Sequence, residues 1–201
     1  MQDDQSAEVV LLDEVRDLTA LGAITPSTAM IKAKLARDGS SAKLLYGTDA
    51  KLKKVSRTAP VTAHGDRGKV VAFPLKDLKP DTQYHYALEV DGKLDPEKAG
   101  RFRTFPKANE PASFRFAFAS CARTGSTNAV FDVIRESEPL FYMNTGDFHY
   151  RDITNNSVKK FRRSYDLVLK SPPQARLYRN VPLNYVWDDH DFGGNNSEIR
   201  S

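Results

Sequence analysis

Three carboxylates and one histidine stand in a row near the end of this 201-residue chain. Asp188, Asp189, His190 and Asp191 lie in "YVWDDHDFGGNN" (185–196), directly after a hydrophobic run. Adjacent carboxylates repel one another, so a fold rarely crowds them without a cation for them to share. The row therefore favours a metal-binding site.

Two further polar groups follow hydrophobic runs earlier in the chain. Cys121 comes after "FRFAFAS" and Asp147 after "LFYMNTG". The pattern predicts strands at 114–121, 140–147 and 181–190, with helices at 126–139, capped by Ser126 or Thr127, and at 157–170, stopped by Pro172-Pro173. Alternating strands and helices indicate a parallel sheet, whose strands meet at one carboxyl edge. A thiol, carboxylates and an imidazole would meet at this edge, and a metal site is the simplest explanation for that combination.

Each residue also has a simpler interpretation. Cys121 could be a small buried hydrophobe, and Asp147 a turn residue. His149 could be a second-layer group or solvent-exposed, and Tyr150 a core residue. Asp188 and Asp191 could cap the segment that follows them. If all of these simpler interpretations were correct, polar residues would have to follow each of the three strands by coincidence. We therefore favour the metal site for the cluster as a whole.

The first hundred residues have a different pattern. Short alternating segments ("TAMIKAKLA", "AKLLYGTD", "KVVAFPL", "QYHYALEV", "GRFRTF") are separated by Asp-Gly and Gly-Asp turns, which predicts an antiparallel β-sandwich. Tyr84, after the Pro80-Asp81 turn, is placed to hydrogen-bond back to the corner backbone. We expect Tyr84 and Tyr86 to be core residues, and His64 and His85 to lie at the surface. The apolar spacing of residues 8–20 is ambiguous.

Composition narrows the function classes. The chain is 40% hydrophobic and 28% charged, as is ordinary for a globular protein, and its net charge of +4 is too small to argue for nucleic acid. One cysteine excludes an intramolecular disulfide. No apolar run has membrane-spanning length, and "MQDDQSAEVV" lacks the apolar segment of a signal peptide. A nucleotide-binding domain is disfavoured because no glycine-rich phosphate loop follows "FRFAFAS".

The motifs "FAFASCA", "NTGDFHY" and "VWDDHDFGGNN", in this order behind a fibronectin-like domain, resemble the PhoD-like alkaline phosphatases of the calcineurin-like metallophosphoesterases. The resemblance implies phosphate-ester hydrolysis with iron and calcium cofactors. It implies that Cys121 and Tyr150 bind iron, that Asp147 bridges two metals and that Asp189 binds the second. His190 would be the general acid or phosphate-binding group. Asp188 and Asn196 are further candidate metal ligands, and Arg123 a candidate phosphate-binding residue.

The predicted fold class is a multi-domain chain, with an all-β fibronectin III-like sandwich at 1–105, a linker at 106–113 and the first β-α-β-α-β part of an α/β metallophosphatase domain at 114–201. Later histidine and aspartate ligands are missing, so we expect a fragment that is weak or inactive alone. Expected partners are phosphate-ester small molecules, phosphodiesters or phospholipids. Because PhoD-like phosphatases are usually exported, the resemblance also implies that this protein is secreted or lies in the periplasm or at the cell surface. The oligomeric state is left open. The alternative function is a non-catalytic binding or adhesion module with a vestigial phosphatase segment.

Overall fold

The computed structural model describes residues 10–12, 24–94 and 99–198. Its first part is a β-sandwich. The strands are β1 (Val10–Leu12), β2 (Ala29–Lys34), β3 (Ser41–Gly47), β4 (Ser56–Arg57), β5 (Val61–Thr62), β6 (Val70–Leu75), β7 (Gln83–Val90), β8 (Lys93–Leu94) and β9 (Gly100–Arg103). One sheet has the order β1-β2-β6; the other has the order β4-β3-β7-β8, with β5 paired to β3 and β9 to β7. All pairings are antiparallel. The predicted sandwich is confirmed. Most of the ambiguous segment 8–20 lies outside the described residues.

Alternation along the strands builds the sandwich core. In β2, Ala29, Ile31 and Ala33 are buried while the residues between them are partly exposed. Successive side chains of a strand point to opposite faces, so the buried set faces the second sheet. That sheet supplies Leu44, Tyr86 and other buried side chains to the same cluster. Removing these apolar side chains from water is the main stabilisation of this part.

The predicted tyrosine corner is present. The backbone N–H of Lys79 donates to the Tyr84 hydroxyl at 2.9 Å, and the Tyr84 ring stacks on Phe102 with centroids 5.4 Å apart. Tyr84 and Tyr86 are both buried, so their expected core role is confirmed. His64 is exposed and His85 half-buried on β7.

The second part is a three-stranded parallel sheet with helices on one face. Its elements are β10 (Ala117–Ala119), α1 (Val130–Glu136), β11 (Tyr142–Asn144), α2 (Val158–Lys170), α3 (Pro172–Asn180), β12 (Leu183–Tyr185) and α4 (Asp189–Phe192). The strand order is β10-β11-β12, with Ala117, Tyr142 and Leu183 in register. Phe131, Val168, Leu177 and other buried residues form one core between the helices and the sheet. The predicted fold class is thus confirmed, while the proposed boundaries at 105 and 113 stay predictions.

One detail of the helix prediction is wrong, and one is incomplete. The cap of α1 is neither Ser126 nor Thr127: the helix starts after Ala129, and Asn128 Oδ1 accepts from Val130 N at 2.9 Å. Pro172-Pro173 stop α2, as predicted, but they also open α3, a helix that the sequence did not predict. Proline suits the first helical position because its missing N–H would have no partner there.

The sheet face away from the helices carries exposed aromatic side chains. Phe114, Phe116 and Phe118 expose 56%, 53% and 68% of their surface, and Val186 and Trp187 at the end of β12 are half-exposed. Phe116 stacks on Phe141 with centroids 5.3 Å apart. None of the described residues covers this apolar face.

The two parts touch closely. The Tyr86 hydroxyl of the sandwich donates to Arg179 O of α3 at 2.9 Å, and Lys34 Nζ lies 2.5 Å from Asp166 Oδ1 of α2. At Gly100 the approach is so close that a Cβ would lie 2.4 Å from Arg179 O. This contact requires a glycine. No helix in the described ranges is long and apolar enough to span a membrane.

Candidate metal centre

The carboxyl ends of β10, β11 and β12 bring distant polar groups together. The Cys121 thiol donates to Asp147 Oδ2 at 3.4 Å, from a loop 26 residues earlier. From the loop after β12, the backbone N–H of His190 points at Asp147 Oδ1 at 3.4 Å. Asp147 is therefore the point at which the three strand-end loops meet.

Three side chains form a compact donor group. Asp147, Asp189 and His190 each offer one ligand atom, and these atoms lie within 4.8 Å of one another. Asp147 and His190 are buried, and neither ring nitrogen of His190 has a hydrogen-bond partner. The nearest carboxylate, Asp152 Oδ1, is 3.6 Å from His190 Nδ1, beyond hydrogen-bonding distance. Buried nitrogens normally have partners, so two carboxylates and an orphaned imidazole fit a metal ion.

The backbone at these loops is unusual. Cys121 has φ of 58° and Asp147 has φ of 53°, both in the left-handed region that L-residues rarely adopt. Gly146 has φ of 116°, and a Cβ there would lie 2.6 Å from Asp188 Cβ. The glycine before Asp147 thus lets the loops after β11 and β12 approach one another.

The structure separates Asp188 from the donor group. Its side chain caps α4 by accepting from Asp189 N at 2.9 Å, and it forms a capping box with Asp191. Asp189 Oδ2 accepts from the backbone N–H of Asn196. The simpler interpretation of Asp188 as a cap therefore describes its contacts, and its role as a ligand stays a prediction, as does that of Asn196.

Cys121 and Tyr150 lie at the accessible side of the site. Cys121 is exposed, so it is not a buried small hydrophobe. Tyr150 is 48% exposed and is not a core residue; its ring centroid lies 4.2 Å from that of His190. Arg123 is exposed in the loop after Cys121. These positions leave the thiol, phenol and guanidinium open to a ligand from solvent.

A buried polar layer lies beneath the donor group. The His149 side chain is fully buried against Phe161 and Tyr165 of α2, and burial lowers its pKa to about 4. The solvent-exposed alternative for His149 is therefore wrong. Asp191, Tyr165 and Tyr185 complete the layer. The sequence analysis missed Tyr165 and Tyr185 as neighbours of the site, because each matches the apolar pattern of its own element.

The carboxyl groups have opposite environments. Burial raises the pKa of Asp147, an effect opposed by the hydrogen bond from the Cys121 thiol. The backbone N–H of Asn196 lowers the pKa of Asp189. A cation bound between the two carboxyl groups would favour the ionised form of both.

A cleft of about 950 Å³ lies elsewhere, where the sandwich meets the amino ends of the parallel strands. Arg101 and Arg103 in its wall are paired with Glu138 and Asp81. The cleft is at the opposite edge of the sheet from the donor group, so it is not part of this site.

Comparisons with known proteins relate the fold of this chain to that of a phosphatase. The family described as "PhoD-like phosphatase, N-terminal domain" matches residues 13–106. No curated protein matches the chain. A solved structure of PhoD aligns with a TM-score of 0.74 at 19% identity, covering 90% of this chain and 41% of that chain. This chain therefore spans less than half the length of PhoD, and at this identity the likeness shows the fold alone.

Two further solved structures align only weakly. The sensor domain of the anti-sigma factor RsgI4 of Pseudobacteroides cellulosolvens gives a TM-score of 0.36 at 19% identity, covering 52% of this chain and 82% of that one. A fibronectin III domain of human contactin 1 gives 0.33 at 17% identity, covering 56% and 92%. Such scores carry no argument about the fold. Residues 13–106 thus match the N-terminal domain of the PhoD-like phosphatases, and the described residues have the fold of the corresponding part of PhoD.

Proposed function

We propose that the protein hydrolyses phosphate esters at a metal centre to which this chain contributes Cys121, Asp147, Asp189 and His190. The observation that carries the proposal is the convergence of these side chains at the carboxyl ends of three parallel strands. The orphaned ring nitrogens of His190 support it further, because a buried imidazole without partners is ready to bind a ligand.

The proposed cofactors are iron and calcium. The Cys121 thiolate and the Tyr150 phenolate are soft or anionic donors that suit iron, whereas the carboxylate oxygens of Asp147 and Asp189 suit calcium. Asp147 would be shared between the two ions, since it lies between the Cys121 loop and the Asp189 loop. When bound, such ions neutralise phosphate oxygens and favour ionisation of the attacking water.

The chain's own side chains supply the rest of the chemistry. His190, whose ring lies against that of Tyr150, would give a proton to the leaving alkoxide oxygen. Arg123 carries a guanidinium that can donate two parallel hydrogen bonds to two oxygens of a phosphate group. Its exposure leaves it free to turn toward a substrate.

The proposed substrates are phosphate esters, among them small monoesters, phosphodiesters and phospholipids. Export from the cytoplasm is also proposed, on the resemblance to the PhoD-like phosphatases. The net charge of +4 is consistent with anionic substrates.

Metal content is the test. The purified chain is loaded with iron and calcium, desalted and analysed by mass spectrometry, alongside Cys121→Ala and Asp147→Ala. We expect near-stoichiometric metal in the parent chain, loss of iron in the first variant and loss of both metals in the second. Asp66→Ala, in an exposed turn of the sandwich, is the matched control and should retain the metal.

A folded chain that takes up no metal, whatever the variant, would contradict the proposal. It would favour the alternative of a non-catalytic binding module, because a β-sandwich needs no iron. Metal uptake that Asp147→Ala leaves unchanged would place the binding site elsewhere in the chain.

A further inference from the structure

Asp191 is a buried carboxylate beneath the donor group. Its side chain is 4% exposed. Asp191 Oδ1 accepts from the backbone N–H of Phe148 at 3.0 Å, and Oδ2 accepts from the backbone N–H of Asp188 at 3.1 Å. The hydroxyl of Tyr165, on α2, also points at Oδ1 at 3.4 Å.

These bonds join two loops that carry metal-site residues. Phe148 directly follows Asp147 in the loop after β11, and Asp188 directly precedes Asp189 in the loop after β12. One carboxylate therefore holds the backbone next to Asp147 and the backbone next to Asp189. A side chain with two acceptor oxygens and no donor is suited to this, since both partners are N–H groups.

We propose that Asp191 is a positioning residue of the metal centre, whose carboxylate fixes the separation of Asp147 from Asp189 and His190. The proposal rests on the proposed function of the same site. Groups that orient metal ligands without binding the metal typically change metal affinity 10- to 100-fold when they are replaced.

Helix capping alone does not account for these contacts. A capping box explains the bond to Asp188 N, three residues away. It does not explain the bond to Phe148 N, which is 43 residues away on a different strand end. The Tyr165 hydroxyl, which also contacts the Tyr185 hydroxyl, ties the carboxylate to α2 and β12. Contacts with α2 and β12 thus fix the Asp191 carboxylate, which in turn fixes the loops after β11 and β12.

The test uses Asp191→Asn, which keeps the shape of the side chain but turns one acceptor oxygen into an N–H donor. Asp191→Glu keeps both oxygens on an arm that is one methylene longer. Asp132→Asn is the matched control, because Asp132 makes a bidentate bond to Arg176 away from the site. Two quantities are measured: Mn²⁺ affinity by electron paramagnetic resonance of free Mn²⁺, and hydrogen exchange at the amides of Phe148 and Asp188 by NMR.

We expect Asp191→Asn to bind Mn²⁺ about 10- to 100-fold more weakly than the parent chain. The Mn²⁺ affinity of Asp191→Glu should lie between those of Asp191→Asn and the parent chain, and Asp132→Asn should bind Mn²⁺ as the parent does. Exchange should accelerate at both amides in Asp191→Asn and at neither in Asp132→Asn. If a general loss of stability caused the weaker binding, Asp132→Asn would also bind Mn²⁺ more weakly than the parent chain.

Unchanged Mn²⁺ affinity in Asp191→Asn, with a parent chain that binds Mn²⁺, would overturn this inference and leave the proposed function standing. If the parent binds no Mn²⁺, the uptake of iron and calcium described above decides the proposed function, and the exchange at Phe148 and Asp188 decides the positioning role alone: retained protection in Asp191→Asn overturns it. If Asp191→Asn does not fold, the same comparisons are made with Asp191→Glu.

Discussion

The sulfur of Cys121 lies 3.4 Å from the Asp147 carboxylate, although the two residues follow different strands. An exposed thiol in contact with a carboxylate is a sensitive reporter of metal binding, because a thiolate bound to a metal no longer attacks a disulfide reagent. We expect the reaction of Cys121 with Ellman's reagent to slow markedly when iron is added to the metal-free chain. Asp147→Ala should abolish this protection, and equal rates with and without iron in the parent would contradict the assignment of the thiol as a ligand.

Gly146 should be intolerant of even one methyl group. Its φ of 116° is accessible essentially only to glycine, and a Cβ would lie 2.6 Å from that of Asp188. Gly146→Ala should lower the free energy of unfolding by about 1–3 kcal/mol and displace Asp147. Urea denaturation measures the first effect and metal content the second. Ser113→Ala, an exposed substitution that precedes β10, is the control and should change neither quantity.

Acid stability should depend on Asp132. The bidentate hydrogen bond from Arg176 lowers the pKa of Asp132 below its usual value of 3.8. Because the folded pKa is the lower one, the stabilisation is fully present above the unfolded pKa and is lost as the pH falls through the folded pKa. The free energy of unfolding should therefore decline below pH 3.8, and Asp132→Asn should decline less steeply. Urea denaturation between pH 5 and pH 2 measures both slopes.

Arg176→Met tests the same ion pair by removing the partner of Asp132. It leaves the carboxyl in place but removes its main hydrogen-bond donor, so its acid slope should approach that of Asp132→Asn. Parallel slopes in all three proteins would show that the pair does not contribute to acid stability.

The exposed aromatic face should drive self-association of the purified chain. Large contiguous apolar patches on soluble proteins promote association, and Phe116 and Phe118 are both more than half-exposed. The double substitution Phe116→Ser with Phe118→Ser should shift the sedimentation profile toward monomer with little change in thermal stability. Leu183→Ser, on the buried face of the same sheet, should instead destabilise the fold. Aggregation that the double variant leaves unchanged would point to another surface.

The features that the sequence predicts well are those set by short-range patterns. Alternation in β2 and β7 predicted the sandwich, and the Pro80-Asp81 turn placed Tyr84 at its corner. The convergence of Cys121, Asp147 and the 188–191 row followed from the rule that parallel strands end at one edge. In each case the deciding information lies within a few residues or in a general property of sheets.

The features that it misses depend on contacts between distant elements. Nothing in "PPQARLYRN" distinguishes prolines that stop α2 from prolines that start α3, since both are compatible with the same residue. The hydrogen bond from Phe148 N to Asp191 spans 43 residues and uses a backbone donor, which leaves no trace in residue type. His149 is buried because α2 covers it, and its own neighbours in the chain do not indicate that.

The left-handed backbone at Cys121 and Asp147 lowers the stability of the fold, whereas the side chains of these two residues serve the proposed site. Glycine would relieve the conformational cost at either position, by about 1 kcal/mol or more, and would delete a proposed metal ligand in the same step. Laboratory evolution for expression level or heat resistance alone should therefore drift toward glycine at 121 and 147. A variant library sorted in that way would reveal which residues are retained for chemistry, because they are the ones that selection for stability erases first.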